Sequence, residues 1–295
     1  MSATTYRPEL FKSTLIDHIV RVDLRVTDLD AAVAFYRDVV GLRVVERDGS
    51  QASLGAGGGA PFLMLDSAGV TGPTDPAATG LFHTAIRFPT RPALGDALAR
   101  LVDAGLEVGA GDHLVSEALY VNDPAGNGVE LYWDRPVEEW PGPRDGMLVP
   151  MPSLPVDLEG LLDAGRGRGA VEAGAPLGTD VGHVHLQVSN IEATTRFYGD
   201  ELGLDVTARI GDSARFFSSN AYHHHIGSNV WRSRGGRAAP RHRAGLDRIV
   251  FAVSDAGDLE ELRKRVSDLG QPVGQEAPAA VVHDPDEIEL VFAAA

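Results

Sequence analysis

The sequence predicts an α+β chain written as four copies of one short unit, grouped two and two into tandem domains. Three observations carry this. The segment Asp23 to Leu42 (DLRVTDLDAAVAFYRDVVGL) recurs as His185 to Leu204 (HLQVSNIEATTRFYGDELGL), and an internal repeat of that kind sets the fold before any single element does. Shorter copies begin at Phe82–Phe88 and Leu246–Val253. Each of these is followed by a helical stretch, Ala93 to Ala104 and Asp258 to Leu269, and then by a strand after Asp-Pro, at 123–133 and 284–292.

In chain order, the two long copies read strand, cap, amphipathic helix and glycine stop. About three further strands follow the helix in each unit. A segment rich in Pro and Gly separates the second unit from the third and reads as a linker. The expected boundaries are a first domain over 12–136, a linker over 137–179 and a second domain over 180–295.

Composition narrows the partners. The 295 residues carry a formal net charge of −16, which repels nucleic acid and anionic membranes and leaves small molecules. No apolar run reaches membrane-spanning length, and the start MSATTYRPELFKSTL lacks the order of a secretory signal. A cytoplasmic protein is expected, assembled as a homo-oligomer. With no cysteine, a metal would have to rest on His, Asp or Glu, which favours iron, manganese, nickel or zinc.

The histidines suggest such a metal. In Gly182–Val188, His183, His185 and Gln187 project to one face and Val184, Leu186 and Val188 to the other, as a strand requires. Turning imidazoles inward costs free energy unless something bonds them. A second cluster, Tyr222-His223-His224-His225-Ile226-Gly227, stands about forty residues on.

The repeat HLQVSNIEATTRFYGDELGL, the strand DPAGNGVELYW and the paired halves resemble the vicinal oxygen chelate superfamily. The resemblance implies two domains, each a pair of βαβββ units forming a cupped mixed sheet around a metal. GTDVGHVHLQV, YHHHIGSNVWRSRGG and DHLVSEALYVNDPAGNGVELYWDRP are similar to the two-domain extradiol catechol dioxygenases. That implies ferrous iron, with manganese as an alternative, a small aromatic diol as substrate, and dioxygen.

Aligning the four units places Arg21, His83, His183 and Arg248 at one first-strand position and Glu130 and Glu289 at one last-strand position. The first domain then offers only His83 and Glu130 beside Arg21, too few ligands, and is expected to be metal-free. His113, Glu117, Trp133, Trp140 and Trp231 are read as packing residues. The second domain offers His183, His224 and Glu289, two imidazoles and a carboxylate of the kind that suits iron with open positions. His224 is taken from the run because the family's ligand histidine precedes an apolar and a small residue, here Ile226 and Gly227.

His185 is the expected proton-transfer and substrate-contacting group, with Tyr222 as the second candidate. Arg248 either neutralises a bound catecholate or pairs with an acid. The chain departs from the extradiol pattern at Arg248, at 275–281, which offers no tyrosine, and at Asp284–Glu287, which lacks Gly-Asn. The rival functions are a glyoxalase-like isomerase, a detoxifying transferase, and a non-catalytic protein that binds an aromatic ligand.

Overall fold

The computed structural model describes residues 5–166, 174–268 and 279–294; Leu269 and residues 275–278 of the stretches discussed above lie outside them. The first unit supplies β1 (Ile16–Arg25), α1 (Leu29–Ala34), β2 (Arg43–Asp48), β3 (Gln51–Gly55) and β4 (Leu63–Asp66). The second supplies β5 (Gly80–Arg87), α2 (Arg91–Asp103), β6 (Gly109–Asp112), β7 (Ser116–Asn122) and β8 (Gly128–Asp134). Helix α3 (Leu158–Arg166) intervenes. The third unit holds β9 (Asp180–Gln187), α4 (Ile191–Thr195), β10 (Asp205–Ile210), β11 (Ala214–Ser218) and β12 (Ile226–Asn229), and the fourth β13 (Gly245–Val253), α5 (Ala256–Asp268), β14 (Ala279–His283) and β15 (Glu289–Ala294).

Local chemistry accounts for the helix starts. The Asp28 carboxylate accepts from Ala31 N, Asn190 Oδ1 from Glu192 N and Ala193 N, and Thr90 Oγ1 from Ala93 N, each satisfying amide donors that a first helical turn leaves free. Helices α1 and α4 both run on into a π-helical turn, at Phe35–Val40 and Arg196–Glu201. These turns bury Tyr36 and Tyr198, whose hydroxyls donate to Asp123 Oδ2 at 3.3 Å and Asp284 Oδ2 at 3.0 Å. Each Phe-Tyr pair thus ties its unit to the Asp-Pro turn of the next.

The sheets make the opposite connection. One has seven strands in the order β14-β15-β13-β1-β4-β3-β2, the other eight in the order β10-β11-β12-β9-β5-β8-β7-β6. The first unit therefore pairs with the fourth through antiparallel β1 and β13, and the second with the third through antiparallel β5 and β9. Two sheets built from two units each agree with the sequence. Which units pair does not, since consecutive units were expected to share a sheet.

The reason is physical. All four first strands offer the same apolar face and the same backbone edge, so local sequence does not choose among partners. Val22, Leu24, Ile86, Val184, Leu186, Ile249 and Phe251 are all buried in one continuous core, and each such burial stabilises by roughly 1.5–3 kcal/mol.

The intervening segment is docked on the first two units. Ala175 N donates to Gly41 O at 2.7 Å, and α3 lies against α2 so closely that a Cβ on Gly95 would run into the Leu161 carbonyl. Among the described residues no helix is long and apolar enough to cross a membrane.

Candidate metal centre

The concave face of the eight-stranded sheet collects the histidines. Along β9, His183, His185 and Gln187 all point inward and are buried. Across the ladder His83 pairs with His185 and Ala85 with His183, while on the other side of β5 Ala85 pairs with Glu130 of β8. Ala85, fully buried, thus lies between Glu130 and His183. Its methyl is small enough to let the two side chains meet across it, Glu130 Oε2 lying 3.2 Å from His183 Nε2.

His83, Glu130 and His183 each bring a ligand atom to within 4.8 Å of the other two. Glu130 Oε2 is 2.8 Å from His83 Nε2 and 3.2 Å from His183 Nε2. The shorter contact lacks hydrogen-bond alignment, so His83 Nε2 has no hydrogen-bond partner, and neither does His183 Nδ1. Buried polar atoms that converge without bonding are costly. A cation among them removes that cost, and two imidazoles with one carboxylate suit a first-row divalent metal with open positions.

Glu130 and His183 perturb one another. Burial draws His183 down to about 4, and the Glu130 carboxylate lends it only partial support. Burial alone would push Glu130 up, but the His183 and His83 imidazoles hold it well below the usual carboxylate range. At neutral pH the site therefore presents the Glu130 carboxylate and an uncharged His183.

Two more imidazoles flank the group. His185 sits 5.0 Å from His83 between the rings of Phe82, Phe216 and Trp231, and its buried Nε2 has no partner. Burial, and then His83 and His183, place its pKa well below that of an ordinary histidine. The His224 ring lies 4.1 Å from that of His183, and burial together with His183 likewise lowers it strongly. Trp231, read as packing, is half exposed with its edge on Phe82.

The structure redraws the ligand set expected from sequence. His183 is in the group; Glu289 is not, because β15 belongs to the other sheet, where Glu289 Oε1 is 3.1 Å from Arg248 Nε. The repeat alignment also slipped there. Glu130 stands opposite Ala85, and the ladder of the fourth unit puts Val291 opposite the equivalent Val250, with Glu289 two residues earlier opposite Arg248. His224 is beside the group and not in it. The histidine run precedes β12 and follows Asn220 and Ala221, both at positive φ, so strand alternation does not govern it.

Arg248 contacts Asp23 at 3.4 Å and Glu289 at 3.1 Å, the acid-pairing arrangement, in the sheet that lacks the histidine group. Arg21 binds Asp23 as well, so the seven-stranded cup holds a salt-bridge network where the other holds imidazoles. His83 and Glu130, set aside in the sequence as a degenerate copy, are the other two members of the group. Tyr222 donates to Asp134 Oδ2 at 2.8 Å, away from the ligand atoms. His113 bonds the Pro152 carbonyl and the Tyr120 hydroxyl at 2.8 and 2.7 Å, and Tyr120, 5.6 Å from the His83 ring, went unnoticed in the sequence. One signal could have found the pair: the second unit keeps the full Asp-Pro-Ala-Gly-Asn-Gly hairpin before Glu130, and the fourth does not.

A cupped sheet of repeated units closing on a His, His, Glu group defines the class of protein. The chain belongs to the Glyoxalase/Bleomycin resistance protein/Dioxygenase superfamily, whose pattern matches residues 15–131 and again 180–292; each sheet takes one unit from each matched half. It is 39% identical over 272 residues to a catechol-2,3-dioxygenase of Bacillus subtilis, covering 91% of this chain and 94% of that one. A biphenyl-2,3-diol 1,2-dioxygenase of Rhodococcus globerulus is 32% identical over 133 residues, 41% of this chain and 65% of that one. Among solved structures, a putative dioxygenase from Bacillus subtilis superposes with a TM-score of 0.62 at 14% identity, covering 96% of this chain and 86% of that one. Maize glyoxalase I does so at 0.55 and 15%, covering 94% and 92%. At these identities the two structures speak for the fold.

Proposed function

We propose that the chain is an Fe(II)-dependent extradiol dioxygenase that opens the ring of a catechol-type diol, with His83, His183 and Glu130 as the metal ligands. The observation that carries the reading is the buried, converging group of two imidazoles and one carboxylate, in which only His183 Nε2 hydrogen-bonds Glu130 while His83 Nε2 and His183 Nδ1 have no partner. The near-full-length likeness to a catechol-2,3-dioxygenase supports the choice of reaction.

Ferrous iron, or manganese in its place, would supply Lewis acidity toward the diol and open positions for substrate and dioxygen. The chain's own residues have three tasks. Phe82, Phe216 and Trp231 wall the site with aromatic rings around His185, which suits an aromatic substrate and keeps water from the reacting atoms. His185 and His224, both uncharged at neutral pH, stand on either side of the ligand group and can take up and return phenolic protons. Overall, both atoms of dioxygen enter the product and the ring bond beside the diol breaks, giving a semialdehyde acid with no external reductant.

The test is oxygen uptake with a panel of catechols by protein purified anaerobically and loaded with iron, read with the yellow ring-fission product. Stoichiometric uptake supports the reading. An iron-loaded protein that consumes no oxygen with any catechol overturns it.

A further inference from the structure

From His224 a hydrogen-bonded chain leads away from the ligand group. His224 Nδ1 is 2.7 Å from His223 Nδ1, and His223 Nε2 is 2.8 Å from Asp134 Oδ1. The other oxygen of Asp134 accepts from Tyr222 OH at 2.8 Å and faces Arg87 Nη1 at 3.4 Å, while Tyr132 OH lies 2.8 Å from Tyr222 OH. His223 is fully buried, with its ring 4.0 Å from that of Tyr222 and 5.2 Å from that of Trp140.

Donor and acceptor roles along this chain are not free. A carboxylate only accepts, so His223 carries its proton on Nε2. In neutral His223 that is the one N–H, so its Nδ1 accepts and His224 donates to it from Nδ1. The lone pair of His224 is thereby left on Nε2.

We propose that Asp134 and His223 are positioning residues that lock His224 in the Nδ1–H form, so that its Nε2, beside His183, can accept a proton from the substrate diol. This rests on the ring-cleavage reading for its purpose but not for its geometry. Neither residue offers an atom to the ligand group, although the His223 ring lies edge-on to that of His183 with centroids 6.0 Å apart. They act through His224, as an orienting carboxylate acts through a catalytic histidine.

Asp134→Asn tests the lock. Arg87 and Tyr222 are donors, so the amide oxygen stays on their side and its NH2 faces His223 Nε2. Each proton along the chain then shifts by one place, leaving His224 with N–H at Nε2. The readout is the ring-nitrogen shifts of His224 in metal-free, nitrogen-labelled protein, which report the tautomer whether or not the protein has dioxygenase activity. Wild type should show Nδ1 protonated and Nε2 bare, and Asp134→Asn the reverse. His223→Phe removes the acceptor and should leave both tautomers populated. In the iron-loaded protein, Asp134→Asn should lower kcat about 10²–10⁴-fold with KM little changed. A proton on Nε2 of His224 in wild type overturns the proposal without any variant having to fold, and so does an unchanged tautomer in folded Asp134→Asn.

Discussion

The Asp-Pro turn of the fourth unit should make stability depend on pH in a direction opposite to that of most carboxylates. Asp284 is 5% exposed, and its Oδ1 accepts from Asp286 N and Ile288 N while Oδ2 accepts from Tyr198 OH. Burial outweighs these bonds and raises its pKa from 3.8 to about 7. Between those values the folded chain holds a proton that the unfolded chain has released, so stability falls as pH rises through the window and levels off above it. From pH 5 to 7 this is roughly two units at about 1.4 kcal/mol each, a loss of ~3 kcal/mol. Asp284→Asn keeps the amide acceptor and lets Tyr198 OH accept from the new NH2, so it should remove that loss at little cost. Urea unfolding of metal-free wild type and variant at pH 5 and pH 8 measures it as the difference between the two pH dependences. Parallel curves, with the variant as pH-sensitive as wild type, would refute the reasoning.

Three further outcomes follow from the site and the packing. Glu130→Gln and His83→Ala should each abolish stoichiometric metal binding, while Glu289→Gln keeps it, as elemental analysis would show; the reverse pattern would restore the ligand set first read from the sequence. His185→Ala should keep its iron and lose on the order of 10²–10⁴ in turnover, and a near-normal ring-cleavage rate would remove His185 from the mechanism. Gly95→Ala should destabilise by about 1–3 kcal/mol, the usual cost of overpacking, because its Cβ would meet Gly165 N at 2.8 Å as well as the Leu161 carbonyl; an unchanged thermal midpoint would show that α3 yields.

Much of the fold is legible in the sequence because the repeat is written in local terms. Strand alternation, an Asn or Asp cap and a Phe-Tyr pair recur in register, and α2 and α5 lie within two residues of where the pattern puts them. The alternation of His183 and His185 likewise reads straight into the concave face. The pairing of units is a tertiary choice among four equivalent apolar strands, and it decides the site. Once β5 joins β9 in place of β13, His83 and Glu130 replace Glu289 as the partners of His183. The Asp-Pro hairpins of the second and fourth units have the same length, so Glu289 stands where Gly128 does and Val291 where Glu130 does; matching the two glutamates shifts the strand by two residues, an offset that keeps a side chain on the same face. The place of His224 is not legible from strand alternation, because the run follows Asn220 and Ala221 at positive φ and precedes the strand.

The most direct test is diffraction from crystals of the iron-loaded protein, collected on either side of the iron absorption edge. One anomalous peak within bonding distance of His83 Nε2, a Glu130 oxygen and a His183 ring nitrogen, joining both halves of the chain, is the result expected. A peak beside His224 without His83, or one beside Glu289 in the seven-stranded sheet, would contradict the account.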